Sequence, residues 1–543
     1  MSEYLVIFFS WLVALLAWSP IGLWLLRSID SQLIDRPVHN FITGTLVGAA
    51  INSSFLAILS FWIPITIGVS MVLVFINLLL FNRIFIKEIK QLISEIKGWS
   101  RLSIAGLVVF SIISVLCSAH TSLNNDSGLY YIQFMKWINS YPVVPGLANL
   151  HDRLGFNSHW HLLNAAFNLN NMGGNTNDLN GLLFILIGLG IFDSASRLAQ
   201  QMTLFDLIWT IFPVPFFLLL RFLTSSAPDL PATLIPLIYF SILIDRKENS
   251  PLPILALLIV FAATIKVMSV LHAIALLPLL FWVIKRDDWK ALFTTAILVA
   301  FVAVPWLGRN VIQTGYFVFP MESIDLFNFD WKVPNELVAS TRKMVDIHAR
   351  FGNYELTNYG KPMSDWLTDW FGNQSKSVLA LLVLVLMSSL IVILTSAHNI
   401  IRNTTTQKTF INLFLALTVF VSFAFWWKSG PNPRFIYGVL FFFFSYTIAL
   451  IMVNFQIGRW LRFVPILSLV PMLVISRTIL KETGPARTTE FETIKGENSI
   501  IYYPINSDKC WEHDLPCANM NRYDLELREE SLEGGFKNSE ATN

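Results

Sequence analysis

Long, continuous apolar runs alternate with short polar segments along most of the chain. A bilayer core about 30 Å thick needs about 20 apolar residues per helix, and most of the runs approach that length. Apolar and polar residues do not alternate within the runs, so helices are predicted rather than barrel strands. The predicted spans lie near residues 4–26, 40–59, 62–82, 102–118, 178–197, 204–222, 230–245, 251–265, 270–284, 290–307, 376–397, 410–427, 434–454 and 462–477.

This pattern predicts an all-α polytopic membrane protein with about 12 to 14 transmembrane helices. The first segment, 4–26, is too long for a signal peptide and lacks a basic leading region and a cleavage site, which predicts a retained helix. The segments on either side of Lys266 are short for two full spans. They are interpreted as two half-helices or as one long tilted helix.

Short loops that are rich in Lys and Arg mark the cytoplasmic side of a membrane. The span count puts all such loops on one side, at 83–101, 245–249, 285–290, 398–409 and 455–462. The opposite, outward side is then predicted to carry residues 119–177, 223–229, 308–375, 428–433 and the tail after 478. Three regions follow: N-terminal helices with a basic loop (1–101), a transmembrane module with outward loops 119–177 and 308–375 (102–477), and an outward tail (478–543).

Composition supports the membrane interpretation. Hydrophobic residues make up 54% of the chain and charged residues 14%, with a mean hydropathy of +0.58. Soluble proteins are about half apolar and a quarter charged. The net charge of +2 comes from scattered loop residues rather than a basic stripe, so no nucleic-acid partner is predicted.

The tail after Lys481 reads as a small ordered appendage. Residues Ile500 to Pro504 predict a short strand, and the stretch after Glu530 is predicted to be disordered. In an oxidising compartment Cys510 and Cys517 would form a disulfide, and a metal-binding pair is the alternative. The third cysteine, Cys117, lies in an apolar span and is predicted to be a buried small hydrophobe.

Asp126 is the first candidate for chemistry. It follows the 102–118 span at the start of an outward loop, where it could meet a membrane-borne substrate. Aromatic residues then recur at helical spacing and predict an amphipathic helix in the membrane interface: Tyr130, Tyr131, Phe134 and Trp137. The alternative for Asp126 is a structural one, the N-cap of that helix.

A dense polar stretch follows in the same loop. His151 and Arg153 could bind a phosphate or a sugar hydroxyl, and Asn157 or Ser158 is predicted to cap the next helix. His159 and His161 would point to different helix faces, so a two-histidine metal site on one helix is not predicted. The candidate substrate-binding residues in this loop are His151, Arg153, Asn157 and His159.

Further candidates lie at other outward helix ends. Asp229 heads the 230–245 helix, where it could bind substrate or simply cap the helix. Lys266 lies near membrane depth, where a cation is costly unless it is paired or functional. If the outward ends converge, Arg153, Lys266, Arg309 and Arg434 would surround Asp126 with positive charge suited to phosphate.

Several common active-site motifs are absent. The sequence contains no Walker A loop, no GxGxxG before a helix, no HExxH and no GxSxG elbow. Nucleotide-driven chemistry is therefore not predicted. The chain also lacks obvious inverted halves with matching broken helices, which disfavours a secondary transporter.

Six stretches together resemble a family of bacterial polytopic membrane proteins that is similar in layout to the C-type, lipid-phosphate-sugar-dependent glycosyltransferases. They are Asn125–Tyr130, Tyr141–Ser158, Pro228–Asp229, Pro305–Asn310, Gly430–Phe435 and Cys510–Cys517. The resemblance implies a GT-C-like helical fold in which Asp126 acts as a general base or a metal-linked acid. Asn124 and Asn125 precede this single Asp in place of the commoner paired acids, which leaves a requirement for a divalent metal open.

The resulting expectation is a glycosyltransferase of cell-envelope glycan synthesis in the bacterial cytoplasmic membrane. It would move a sugar from a polyprenyl-phosphate donor to an acceptor on the outward face, with Asp126 as base and the cations as phosphate ligands. One alternative is a surface-polysaccharide polymerase or ligase. The other, from a different class, is a transporter or flippase for lipid-linked glycans.

Overall fold

The computed structural model describes residues 3–29, 36–167, 169, 179–245, 252–402, 404, 406–455, 459–484, 490–495, 500–519 and 525–538. The predicted basic loop with Arg246 and Lys247 lies outside these residues. The N-terminal half contains helices α1 (Glu3–Ile29), α2 (Pro37–Leu59), α3 (Ile67–Lys97), α4 (Arg101–Ser118), α5 (Ile132–Ser140), α6 (Leu147–Leu150), α7 (His159–Ala166), α8 (Leu179–Arg197), α9 (Leu204–Ile211), α10 (Asp229–Asp245) and α11 (Leu252–Ile265).

The C-terminal half is also helical and ends in short strands. Its helices are α12 (Leu277–Lys285), α13 (Trp289–Thr314), α14 (Asn335–Phe351), α15 (Leu367–Asn373), α16 (Lys376–Ile401), α17 (Gln407–Ser429), α18 (Tyr437–Phe455) and α19 (Val464–Ile479). The strands pair as antiparallel hairpins, β1 (Phe491–Lys495) with β2 (Ile500–Pro504) and β3 (Leu525–Leu527) with β4 (Phe536–Asn538).

The described part of the chain contains ten helical segments that are long and apolar enough to cross a membrane, and shorter apolar helices supplement them. This agrees with the predicted all-α polytopic class. Exposed apolar side chains follow the outer faces of α3 and α16, among them Phe75, Leu79, Val383 and Met387. A soluble monomer rarely leaves such stripes open, whereas lipid tails cover them at no cost.

Several predicted boundaries are wrong. The basic loop 83–101 is largely helical, because α3 continues without a break to Lys97. The predicted span 204–222 is interrupted after α9 by turns and short 3₁₀ segments. At Lys266 the helix stops, and a 3₁₀ segment, Val267–Leu276, leads into α12. The single tilted helix is therefore wrong, and the segment after the break, Val267–Lys285, is by itself long and apolar enough to cross a membrane.

Helices α1 and α2 pack with their backbones in contact. A Cβ atom built on Gly48 would lie 1.8 Å from the Trp18 carbonyl oxygen, and one built on Gly22 would lie 1.8 Å from the Gly44 carbonyl oxygen. Small residues permit this approach in membrane helices. Asn77 of α3 adds a bond of 2.7 Å to the Ala17 carbonyl oxygen, which ties the third helix to the pair.

The two large loops and the tail meet at one end of the bundle, which we call the loop end (119–167, 308–375, 428–434 and 490–538). Thr341 of α14 donates to Asp152 at 2.9 Å, and Trp370 of α15 donates to the Pro431 carbonyl oxygen at 2.9 Å. Arg528 of the tail donates to Asp330 at 2.7 Å. The loops and tail therefore form one connected layer over the helices.

The tail confirms two predictions and corrects a third. Cys510 and Cys517 form a disulfide, so the metal-pair alternative is wrong, and the predicted strand Ile500–Pro504 is β2. The stretch after Glu530 is not disordered throughout, because β4 pairs with β3 and buries Phe536. Cys117 is buried in α4, as predicted.

Candidate functional site

Asp126 lies in the first helical turn after α4, directly before a π-helical segment, Ser127–Tyr131, that continues into α5. The Asn124 side chain accepts a hydrogen bond of 3.0 Å from the Asp126 backbone N–H and thereby caps this turn. The Asp126 carboxylate caps no helix. It instead accepts from the Tyr131 hydroxyl at 3.4 Å and stays 21% exposed. The N-cap interpretation of Asp126 is therefore wrong. Single π-helical turns are frequent at functional sites because they re-aim side chains.

Arg434 reaches Asp126 from the opposite end of the sequence. Its Nη1 lies 3.3 Å from the Asp126 Oδ2. The preceding turn holds Arg434 in place, because Asn432 accepts from the Arg434 backbone N–H at 3.3 Å and receives the Trp426 indole N–H on its carbonyl oxygen at 2.7 Å. The ends before α18 and after α4 thus converge, which the sequence analysis left as a condition.

Asp229 and Lys266 form an ion pair beside this contact. The Lys266 ammonium also lies 4.4 Å from the centre of the Phe435 ring. Burial alone would lower the pKa of Arg434, but Asp229 and Asp126 outweigh it and hold that pKa above its ordinary value. We call Asp126, Asp229, Lys266 and Arg434 the charge cluster. Its formal charges cancel, so the predicted excess of positive charge around Asp126 is absent from these residues.

A second group of charged residues lies next to the charge cluster. His151 Nδ1 is 3.2 Å from Asp152 Oδ1, its Nε2 is 3.1 Å from the Leu129 carbonyl oxygen, and Arg153 is 3.9 Å from Asp152. Burial would raise the pKa of Asp152, but His151, Arg153 and the Thr341 hydroxyl outweigh it and hold that pKa well below its ordinary value. His151 and Arg153 therefore position the loop, and Arg153 also acts electrostatically on Tyr130 beside Asp126.

Two residues of the second loop, which the sequence interpretation missed, face the same region. The rings of His348 and Tyr354 stack with centroids 4.6 Å apart and planes 4° apart. The pKa of His348 is lowered by burial first, then by Arg434, while Asp126 raises it. Tyr354 is 50% exposed. The signal that could have found them is that His348 is the single histidine between 308 and 375.

The predicted amphipathic helix requires exposed aromatic rings after Asp126, but three of these rings are covered by protein. Tyr131, Phe134 and Trp137 are at most 2% exposed, because the loops and the tail cover them. His161 lies among these rings, 4.8 Å from the Tyr131 ring, and both of its ring nitrogens are buried without a hydrogen-bond partner. These buried aromatic side chains therefore form a packed layer beneath the site.

Arg309 does not contact Asp126, contrary to the predicted convergence. It is 1% exposed and donates to Asn157 at 3.3 Å and to the Ser60 hydroxyl. His159 lies in the same group, where its Nδ1 is 3.2 Å from the Ser53 hydroxyl. Asn157, His159 and Arg309 thus tie the first loop to α2 and α13. As predicted, a residue at this position caps α7, and that residue is Ser158.

A narrow cavity opens beneath Arg434 into the helices. It is lined by Thr233 of α10, Ser422 of α17, and Ser269 and His272 of the 3₁₀ segment after Lys266. The Ser422 hydroxyl is buried and has no partner. The cavity extends the polar surface of the charge cluster inward. Among the described residues, no group of three or more His, Cys, Asp or Glu side chains could hold a metal ion.

Comparison with known families gives one match. The model of a domain of unknown function, DUF8201, matches residues 4–441. The chain belongs to the DUF8201 family. No curated protein matches it, and no solved structure matches it.

The DUF8201 match contains the whole charge cluster, from Asp126 to Arg434, together with His151, Arg153, Arg309 and His348. The tail with the disulfide lies beyond residue 441. In this DUF8201 protein the candidate site is therefore built by the family region, and the segment that covers it follows that region in sequence.

Proposed function

We propose that this protein is a membrane glycosyltransferase that moves a sugar from a polyprenyl-phosphate donor to an acceptor hydroxyl. The site would face outward from the bacterial cytoplasmic membrane, in cell-envelope glycan synthesis. The observation that carries the proposal is the Asp126–Arg434 contact, a partly exposed carboxylate and guanidinium at the loop end of an apolar bundle. A substrate with an apolar tail and a polar head would meet this pair at the membrane surface.

The charge balance of the cluster supports this chemistry. In the proposed step, the acceptor oxygen forms a bond to the anomeric carbon, the bond from that carbon to the phosphate oxygen breaks, and Asp126 takes the acceptor proton. Protonation removes one negative charge from a cluster whose charges cancel. The guanidinium of Arg434 is then uncompensated at the moment when the phosphate leaves with added negative charge. A preorganised cation of this kind stabilises the transition state more than the ground state.

The phosphate ligands in this proposal are Arg434 and Lys266, with Arg153 at the edge of the site. Tyr354, half-exposed and stacked on His348, offers a ring face to a sugar. Pockets for such ligands combine aromatic walls with a few polar groups.

The test is sugar transfer by the full-length protein in lipid vesicles, with polyprenyl-phosphate-linked sugars as donors. Asp126→Asn should reduce turnover by about 10²–10⁴-fold, the usual contribution of a general base. The matched control is Asp369→Asn, an exposed carboxylate of α15, which should leave turnover unchanged. Full activity of Asp126→Asn would refute the role of Asp126.

Two other results would redirect the proposal. Transfer only from donors that carry a long glycan on a diphosphate would favour a polysaccharide polymerase or ligase. Movement of a lipid-linked glycan across the vesicle membrane without bond formation would favour a transporter. Either result would replace the monophosphate-sugar donor in the proposal.

A further inference from the structure

We infer that Trp511, held by the Cys510–Cys517 loop, is a positioning residue that fixes the Asp126 segment. This inference rests on the proposed function for its kinetic test only. The contact itself lies in the described structure, between the tail and the π-helical segment that follows Asp126.

Trp511 covers Gly128 so closely that the position admits no side chain. A Cβ atom at residue 128 would lie 2.4 Å from the Trp511 Cε2, far inside any real contact. The Trp511 backbone N–H also donates to the Gly128 carbonyl oxygen at 3.0 Å. Trp511 is only 3% exposed. Gly128 is two residues after Asp126, so the indole restrains the turn that presents the carboxylate.

Helix α5 holds the same loop with two side chains. The Gln133 amide donates to the carbonyl oxygens of Trp511 at 2.9 Å and His513 at 2.8 Å, and Gln133 is 1% exposed. The Lys136 ammonium donates to the carbonyl oxygens of Glu512 at 2.9 Å and His513 at 2.7 Å. These bonds are specific to the loop backbone, so they fix its position rather than merely cover an apolar surface.

The loop itself is shaped to present the indole. The disulfide closes it over a separation of 7 residues, and both half-cystines are buried. Trp511 has a φ of 46°, a left-handed conformation that bulky residues adopt rarely. Strain of this kind persists where the surroundings over-determine it, and it clusters at functional sites. The disulfide and the bonds from α5 supply that constraint.

The loop connects to the rest of the tail through the first hairpin. The Tyr502 backbone N–H of β2 donates to the Pro516 carbonyl oxygen at 3.0 Å, and the His513 ring lies 3.7 Å from the Phe491 ring of β1. The first hairpin and α5 both contact the 510–517 loop and thus hold Trp511 in position. The Asp126 turn is enclosed between Trp511 and Arg434.

The kinetic test is a pair of complementary substitutions in the full-length protein. Gly128→Ala introduces a methyl group that must displace the indole, and Trp511→Leu removes the indole. Each should lower kcat by about 10- to 100-fold, the cost of a displacement of about 1 Å at a reacting group, with little change in the donor KM. The double variant should recover much of the loss, since the new methyl group fills part of the vacated space. Trp511→Phe should also recover activity, and Trp460→Leu, at an exposed position just before α19, is the control.

A measurement that needs no activity keeps the inference separate from the proposed function. Hydrogen exchange of residues 124–131 in detergent or nanodiscs should accelerate in Gly128→Ala, in Trp511→Leu and after disulfide reduction, and should slow again in the double variant. If wild-type transfer is absent, the glycosyltransferase proposal fails, and exchange alone decides the inference. Unchanged exchange in both single variants, or losses in kcat that simply multiply in the double variant, would overturn it.

Discussion

Arg434 Nη1 lies 3.3 Å from Asp126 Oδ2 although 308 positions separate the two residues in the sequence. The contact joins the turn before α18 to the turn after α4. Each turn is shaped by its own asparagine, Asn124 or Asn432, and the contact between the two charges links the turns to each other. The pair therefore couples the assembly of the bundle to the geometry of the candidate site.

The first prediction concerns this pair. In Arg434→Gln the charge cluster keeps two carboxylates, Asp126 and Asp229, but only one cation, Lys266. The protein should therefore lose about 1 kcal/mol or more of stability. Arg434→Gln combined with Asp126→Asn should cost less than the sum of the two single variants. Thermal unfolding in nanodiscs measures this coupling. The control is Arg342→Gln, whose pair with Glu322 is more exposed, and it should change stability little. If the stability losses of the two single variants simply add in the double variant, the contact contributes no coupling energy.

The second prediction concerns Asp229 and Lys266. Lys266→Met leaves the nearly buried Asp229 carboxylate without its partner and should destabilise the protein by about 3 kcal/mol. The double variant Asp229→Asn with Lys266→Met should be closer to the wild type, because no uncompensated charge remains. Denaturation of the reconstituted protein distinguishes the two cases. A double variant as unstable as Lys266→Met would mean that the pair matters for packing rather than for charge.

The third prediction is a pH dependence at Asp152. Its folded-state pKa lies below the ordinary value of 3.8, so it contributes stability that is present above about pH 4 and lost as the pH falls through the folded-state pKa. Asp152→Asn should therefore be less stable than the wild type near neutral pH, and the difference should shrink below pH 4. Thermal unfolding against pH measures it. Thr341→Val, which removes one hydrogen bond, should lower stability by about 1 kcal/mol and keep a weaker version of the same pH dependence.

The fourth prediction concerns the close packing of α1 and α2. Gly48→Ala places a methyl group 1.8 Å from the Trp18 carbonyl oxygen, so the helices must separate. The expected loss is about 3 kcal/mol, the upper end of the typical range for overpacking, and the yield of folded protein should fall. Gly372→Ala in α15 is the matched control, because nothing lies within 4 Å of its new Cβ atom. Equal stability of the two variants would contradict the packing described above.

The features that could be predicted from the sequence have strong local signals. Apolar length predicted the spans, because the bilayer imposes it on each helix separately. The outward position of Cys510 and Cys517 predicted the disulfide, and topology placed the charges of Asp126 and Arg434 on one side, where a contact between them was possible. All three predictions rest on one-dimensional information that folding does not alter.

The features that could not be predicted depend on tertiary contacts. The interruption after α9 coincides with Pro213 and Pro215, a local signal that the sequence interpretation missed, whereas the 3₁₀ segment after Lys266, Val267–Leu276, contains no proline or glycine that would announce it. Asp126 followed by turn-forming residues is a normal cap sequence, and its carboxylate turned instead to Arg434. His348 became part of the site because α14 folds back over the first loop, and no local pattern encodes that path.

The covering of the site by the tail has a consequence for biogenesis. Residues 490–538 follow all the helices in sequence, yet they contribute Trp511, Arg528 and Phe536, which hold both large loops. The helices can insert one after another while the Asp126 turn remains uncovered. The Asp126 turn is thus covered only after residues 510–517 have been made and their disulfide has closed the loop.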